Sequence, residues 1–214
     1  MSNILPRHLA ATCPLDQILL DFLASRRVLA SQGTPISTLI GPPNPSISGL
    51  INPKLKNNAH ATSRVMVDVV STFKDTNLRE QLGFLYIMYA TLRWQIGPSQ
   101  ETFDNLPVWL RPTVLQVMAP HAAWIDNIPW PEVRDVLIQN PVKYPFQDFS
   151  ELYARCARLN WPFEPGEAVM PRPDDSGELL MNPLFEKRVR TLECWSVGEM
   201  FKARFPELAS AMKS

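Results

Sequence analysis

Glycine, histidine and cysteine are all scarce in this sequence, with eight, three and three residues among 214. So few glycines leave no GxGxxG, GxxxxGK[ST] or GxSxG pattern, and no loop able to cradle phosphates through backbone N–H groups, so nucleotide binding is not expected. The cysteines, Cys13, Cys156 and Cys194, are odd in number and widely spaced, with no CxxC pair and no signal peptide ahead of them. They read as reduced thiols of an intracellular protein. His8, His60 and His121 stand far apart, and none has a Cys, His or Glu at ligand spacing, so neither a metal site nor a cofactor is expected. Net charge is missing too. Lysine plus arginine equals aspartate plus glutamate, 21 each, which gives the molecule no field to attract a polyanion. Long apolar runs are absent as well: Ile18 to Leu23 and Phe84 to Tyr89 are far too short to span a bilayer.

What is present is a composition able to bury a core, 45% hydrophobic and 20% charged, unlike a disordered activation segment. The length suits one domain over residues 1–214, with two unequal lobes as the alternative. The abundant residue is proline. Its 21 copies, about twice average usage, lie between apolar periodic segments and form no low-complexity run, which implies a folded chain of many short elements.

A first helix is expected from Cys13-Pro14, with Leu15, Ile18, Leu19, Phe22, Leu23 and Leu29 at helical spacing and Gly33 as its stop. Residues 33–58 carry so many breakers that a long extended loop is expected there. Ala61 to Phe73 reads as helix, with strand as the alternative because of its valines. Asn77 and Glu80 form a capping-box pattern opening a helix that reaches Ile96. Within it Leu78, Leu82, Leu85, Tyr89, Leu92 and Ile96 trace a heptad seam. Phe84, Ile87 and Met88 make the helix apolar nearly all round, which favours a buried central helix over a dimerisation zipper.

Between residues 97 and 131 proline recurs so often that only short turns fit. Helices are expected again after Pro131, after an Asp148/Glu151 capping pattern, after Asn182-Pro183 and after a Ser196/Glu199 pattern. A polar loop covers Glu164 to Glu178. The fold class is therefore mainly α, a single multi-helix domain of about seven helices with long proline-rich connections and no confident strand.

Two clusters bear on function. In Pro120-His121-Ala122-Ala123-Trp124-Ile125-Asp126 a histidine and a carboxylate lie five residues apart, but neither a nucleophile nor an orienting partner is visible, so a structural histidine is expected. Of six tryptophans, Trp94, Trp109, Trp124 and Trp130 fall in one proline-rich stretch. They either build a core between short turns or line a cleft for a small apolar or aromatic ligand. In the cleft reading His121, Asp126 and Arg134 supply the few polar contacts. A bZIP basic region would be crowded with Arg and Lys just ahead of the heptads, whereas residues 63–77 hold only Arg64 and Lys74, so no DNA-binding residues are assigned.

The order of tryptophans and prolines carries a resemblance. Leu92-Arg93-Trp94-Gln95-Ile96, Leu106-Pro107-Val108-Trp109-Leu110-Arg111-Pro112-Thr113, Pro120-His121, Trp124-Ile125-Asp126 and Ile128-Pro129-Trp130-Pro131 resemble an ascomycete domain of unknown function. That domain lies C-terminal to the basic leucine zipper of transcription factors. Cys13-Pro14-Leu15-Asp16, Asn160-Trp161-Pro162, Asn182-Pro183-Leu184-Phe185-Glu186 and Phe205-Pro206-Glu207-Leu208 extend the resemblance over residues 9–209. It implies a nuclear, non-enzymatic regulatory or protein-interaction domain, with transcription machinery or a bZIP partner as its protein partners. DNA contact would be left to a zipper that this sequence lacks. A tie to fungal secondary metabolism is implied by the same resemblance, and a small-molecule sensor with a tryptophan-lined pocket is the alternative.

Overall fold

Proline and capping chemistry set the element boundaries in the computed structural model, which describes residues 2–174 and 176–212. Helix α1 (Pro14–Ser31) starts where expected: Cys13 is its N-cap and accepts the Asp16 N–H on sulfur, and Gly33 follows at φ 93°. The expected long extended loop over 33–58 is corrected. It holds the short helices α2 (Ile36–Ile40) and α3 (Ser48–Ile51) and a 3₁₀ turn, Pro53–Asn58. Pro35 and Pro53 sit at helix starts, where a missing N–H costs nothing, so these two punctuate helices instead of forbidding them. Gly41 ends α2 at φ 75°, and a Cβ there would lie 2.5 Å from the His60 ring and 2.9 Å from the Tyr89 hydroxyl.

Residues 61–70 form α4 (Ala61–Val70), so helix prevails over strand. Helix α5 (Leu78–Ile96) is the axis of the molecule. From Leu82 to Ile96 every residue is buried, as its all-round apolar character predicts. Helices α1, α2, α4 and α10 (Pro183–Val189) pack around it. Each fully buried leucine, isoleucine or phenylalanine contributes about 1.5–3 kcal/mol of transfer free energy, so this one helix anchors the core.

After α5 the chain proceeds in pieces of one or two turns: α6 (Gln100–Asp104), a 3₁₀ turn at Val108–Leu110, α7 (Val114–Met118) and a 3₁₀ turn at Ala123–Asn127. Helices α8 (Pro131–Gln139) and α9 (Phe146–Cys156) follow, and α11 (Glu199–Arg204) and α12 (Pro206–Ala211) complete the fold. Mainly α is correct, with two small antiparallel pairs added. Strand β1 (Ala157–Leu159) pairs with β4 (Trp195–Val197), and β2 (Val169–Pro171) with β3 (Leu179–Met181). The second pair lies in and beside the loop expected over 164–178, of which residue 175 is outside the described residues.

Three capping expectations need correction. Asn77 is an N-cap by position but makes no side-chain cap bond, because Glu80 turns inward to accept the Leu159 N–H at 3.1 Å and the Arg79 Nε–H at 3.0 Å. Helix α9 begins at Phe146 behind Pro145, not at Asp148. Ser196 belongs to β4, and Gly198 precedes α11. At Glu80 and at Ser196 a tertiary partner outcompeted the local pattern.

One close approach generates a test. A Cβ on Gly83 of α5 would meet the Trp195 ring at 2.7 Å, and that indole is fixed by its N–H bond to Val189 O at 2.9 Å. Helix propensity alone favours Gly83→Ala by about 1 kcal/mol. Overpacking costs about 1–3 kcal/mol. Chemical denaturation of Gly83→Ala is therefore expected to show a net loss of stability, and a gain would mean that α5 and the β1–β4 pair are not in this contact.

Candidate functional site

The short elements after α5 converge on one buried carboxylate. Asp126 sits in the 3₁₀ turn Ala123–Asn127, flanked by Pro120 and Pro129, and is 2% exposed. Four N–H donors reach it. Gln116 Nε2 (2.5 Å) and His121 Nε2 (2.9 Å) are on Oδ1, and Gln95 Nε2 (2.8 Å) and His8 Nε2 (2.7 Å) are on Oδ2.

Each donor is held by its own surroundings. Thr113 and Gln116 form a capping box at the start of α7: Gln116 Oε1 accepts the Thr113 N–H, which leaves Nε2 facing Asp126. Gln95 comes from the buried last turn of α5. His8 comes from an N-terminal strap laid parallel to the chain at His121. The strap is fixed by Arg7 N–H to Gln116 O (3.0 Å), His121 N–H to Arg7 O (2.9 Å) and Leu9 N–H to His121 O (2.9 Å). The two histidine rings meet edge to face at 5.5 Å.

Proton positions follow from the partners. His121 Nδ1 faces the Ala119 carbonyl at 2.9 Å, which only accepts, and Nε2 faces a carboxylate. Both nitrogens must therefore carry protons, so His121 is an imidazolium. Burial pulls its pKa down, but the hydrogen bond and charge of Asp126 outweigh burial and raise it. Burial likewise pushes the Asp126 carboxyl up, yet the bonds from His121 and His8 hold it well below the usual carboxylate range.

Sequence spacing suggested no metal ligands, but the fold gathers His8, His121 and Asp126 into one group whose ligand atoms lie within 4.8 Å of one another. Both histidines turn Nε2 toward the carboxylate, and two glutamine amides take further acceptor positions. A cation there would have to displace protons and break these bonds, so the geometry is that of a proton-bridged latch. His121 has 1% side-chain exposure and both ring nitrogens engaged.

Arg134, fully buried in α8, is the counterpart of opposite charge. Its guanidinium donates to the carbonyls of Trp109 (2.8 Å), Arg111 (3.0 Å) and Leu110 (3.4 Å), capping the 3₁₀ turn Val108–Leu110. Burial pushes its pKa down to about 10, against the opposing fields of Asp126, Asp135 and Glu132.

The seven residues expected to line a pocket are thus distributed. His121 and Asp126 form the latch, and Trp124 packs against Phe146 and Phe149, its N–H backbone bonded to Asp16 at 2.8 Å. Trp94 donates its indole N–H to Ser2 O at 2.9 Å and Trp109 to Arg190 O at 3.0 Å. Trp130 is buried as the residue before α8. His121 and Trp124 border a common cavity of about 150 Å³. His8, Gln95 and Gln116 were not singled out by sequence reasoning. The Thr113-x-x-Gln116 capping pattern was a legible signal for the last of these, whereas His8 carries no local signal at all.

The family described as a domain of unknown function (DUF3425) matches residues 89–214, more than half of the chain. The chain belongs to this family. Gln95, Gln116, His121, Asp126 and Arg134 lie within the matched stretch; His8 and the strap precede it. No curated protein and no solved structure matches the chain. Among the described residues no helix is long and apolar enough to cross a membrane.

The latch sets a pH dependence. Because the His121 pKa is raised on folding, its contribution is complete below its ordinary value of 6.5 and is lost as pH rises through the elevated value. Because the Asp126 pKa is depressed, its contribution is present above 3.8 and is lost as pH falls through the lowered value. Thermal unfolding followed by circular dichroism should show greatest stability between these two values, with a decline on the alkaline side. His121→Gln should flatten that alkaline decline; an unchanged slope would mean that another group causes it.

Proposed function

We propose that this chain is a regulatory protein-docking domain of a transcription regulator of the fungal bZIP-associated kind, acting in the nucleus without catalysis or DNA contact of its own. The observation that carries this reading is an exposed apolar groove of about 220 Å³ on the segment between α6 and the end of α7. Ile4, Phe103, Val114, Val117 and Met118 line it, with Pro112 and Thr113 completing the wall. Val114 is 74% exposed, Met118 66% and Ile4 51%, and Val108, two turns away in sequence, is 76% exposed.

Single exposed apolar residues are ordinary, but a concave group of them marks an interaction surface. No side chain in the groove wall is charged. At the rim Arg7 donates to Met118 O, and Arg111 lies over the Phe103 ring at 4.6 Å. The occupant that fits is a segment of another protein presenting apolar side chains with acidic residues beside them, a helix-in-groove or extended mode of recognition. The neutral net charge, and the absence of a basic helix among the described residues, support a partner other than DNA.

Tethering the chain to an unrelated DNA-binding module tests this. Reporter output should change relative to the module alone and return to baseline for Val114→Asp/Met118→Asp, a variant whose thermal midpoint stays near wild type because both side chains are exposed. Retained output in a folded double variant would remove the groove from the reading.

A further inference from the structure

The N-terminal strap is the least buried of the four pieces of chain that meet at Asp126. From Ser2 to Leu9 no residue is buried, and Leu5 supplies its apolar contact with the core. Hydrogen bonds do the rest. Ser2 O accepts the Trp94 indole N–H at 2.9 Å, the Arg7 guanidinium donates to Met118 O at 3.3 Å, the Arg7 and Leu9 backbone is bonded to Gln116 and His121, and His8 donates to Asp126. A segment held by polar bonds over little apolar area opens at a lower free energy than the whole fold.

The strap also has a place to turn. Ala10 and Ala11 are exposed and make no hydrogen bond among the described residues. Behind them Thr12 is clamped to α1 by two bonds to Asp16 Oδ2, from its N–H at 3.1 Å and its hydroxyl at 2.6 Å. Residues 2–9 can therefore swing out whole and leave α1 where it is.

The charge at Asp126 decides whether they do. The His121 imidazolium donates to Ala119 O and to Asp126 Oδ1; after losing a proton the ring has one N–H for two acceptors and no charge to offset the carboxylate. Of the other charged and titratable groups nearby, His8 meets the ring edge to face and Arg134 of α8 opposes its charge. Asp16 of α1 accepts the Trp124 N–H, Tyr144 across the cavity gives its hydroxyl to Glu207, and Arg7 is engaged at Met118 O. An uncompensated carboxylate only 2% exposed must gain water. Gln95 and Gln116 cannot make room, since one belongs to the last turn of α5 and the other to the capping box of α7.

We infer that the strap is a lid that swings about Ala10 and Ala11 and is released when His121 loses its proton, uncovering Asp126 to water and taking Ile4 out of the docking groove. The consequence for docking rests on the groove reading above; the release of the strap does not, and the experiment reads the release alone. The sign follows from the latch. With the strap docked the His121 pKa is raised, so docking is complete below 6.5 and weakens as pH rises through the elevated value. Between those values the open fraction should climb by up to about tenfold per pH unit, the slope of one proton, and then level off.

Trypsin cleavage after Arg7 measures the opening, because a protease needs free backbone on both sides of the bond, and the docked Arg7 N–H, Arg7 O and Leu9 N–H are all engaged. The intact chain is digested across the neutral to alkaline range, and each rate is divided by that of a free peptide with the sequence of residues 1–12, which cancels the pH dependence of trypsin itself. The quotient should rise with pH as above. Cleavage after Arg93, in the buried part of α5, reports global unfolding and should be slower at every pH.

His121→Gln should abolish the rise. His8→Gln, which keeps an N–H for Asp126 and lies in the strap, should retain it, and keeps the test decisive if His121→Gln does not fold. A quotient that ignores pH, equal cleavage after Arg7 and Arg93, an undiminished rise in folded His121→Gln, or loss of the rise in folded His8→Gln overturns the proposal.

Discussion

The carboxylate of Asp126 is the interaction on which the rest of the structure depends. Its four donors come from the N-terminal strap, the end of α5, the start of α7 and the turn at His121, so a single side chain fixes the mutual position of four pieces of chain. Hydrophobic burial could not do this alone, because it is non-directional and tolerates sliding. A buried charge has few satisfactory arrangements, and losing one donor leaves the full desolvation penalty unmet. Arg134 does the same with opposite sign for the carbonyls of residues 109–111. The stretch from 97 to 131, too rich in proline for long helices, is thus organised by two buried charges where other folds would use a helical ladder.

This division of labour explains what could be read in the sequence. Helix α5 was legible because an all-round apolar segment can only be a buried axis, and α1 because Cys13-Pro14 and Gly33 bracket its periodicity. The proline-rich centre was legible as short turns for the same steric reason. Local capping patterns were less reliable. Glu80 spends its carboxylate on Leu159, 79 residues away, and Ser196 is in a strand paired with Arg158. Such partners are invisible to a window of four residues.

The latch was the least legible feature, for a physical reason. His8 meets Asp126 across 118 residues of chain, in a contact imposed by a parallel backbone bridge that leaves no periodicity behind. His121 and Asp126 were found together because they are close in sequence, and their reading as a structural pair fits the saturation of every polar atom they present. The tryptophans shared a stretch of sequence but find different partners in space, since Pro112 and Pro120 break the chain between Trp109 and Trp124 into short turns. Proximity in a proline-rich sequence is weak evidence of proximity in the fold.

The strap joins what the other elements keep apart. Ile4 forms part of the groove wall and Leu9 part of the cavity wall, with His8 latched between them. The six residues from Ile4 to Leu9 cannot move at one end while staying docked at the other, because the three backbone bonds around His121 hold them in register. Undocking of the strap would therefore open the groove wall at Ile4 and the cavity wall at Leu9 together. Proton loss from His121 removes one charge-assisted bond of the latch, and so is a change in the protein that makes the undocked strap more accessible.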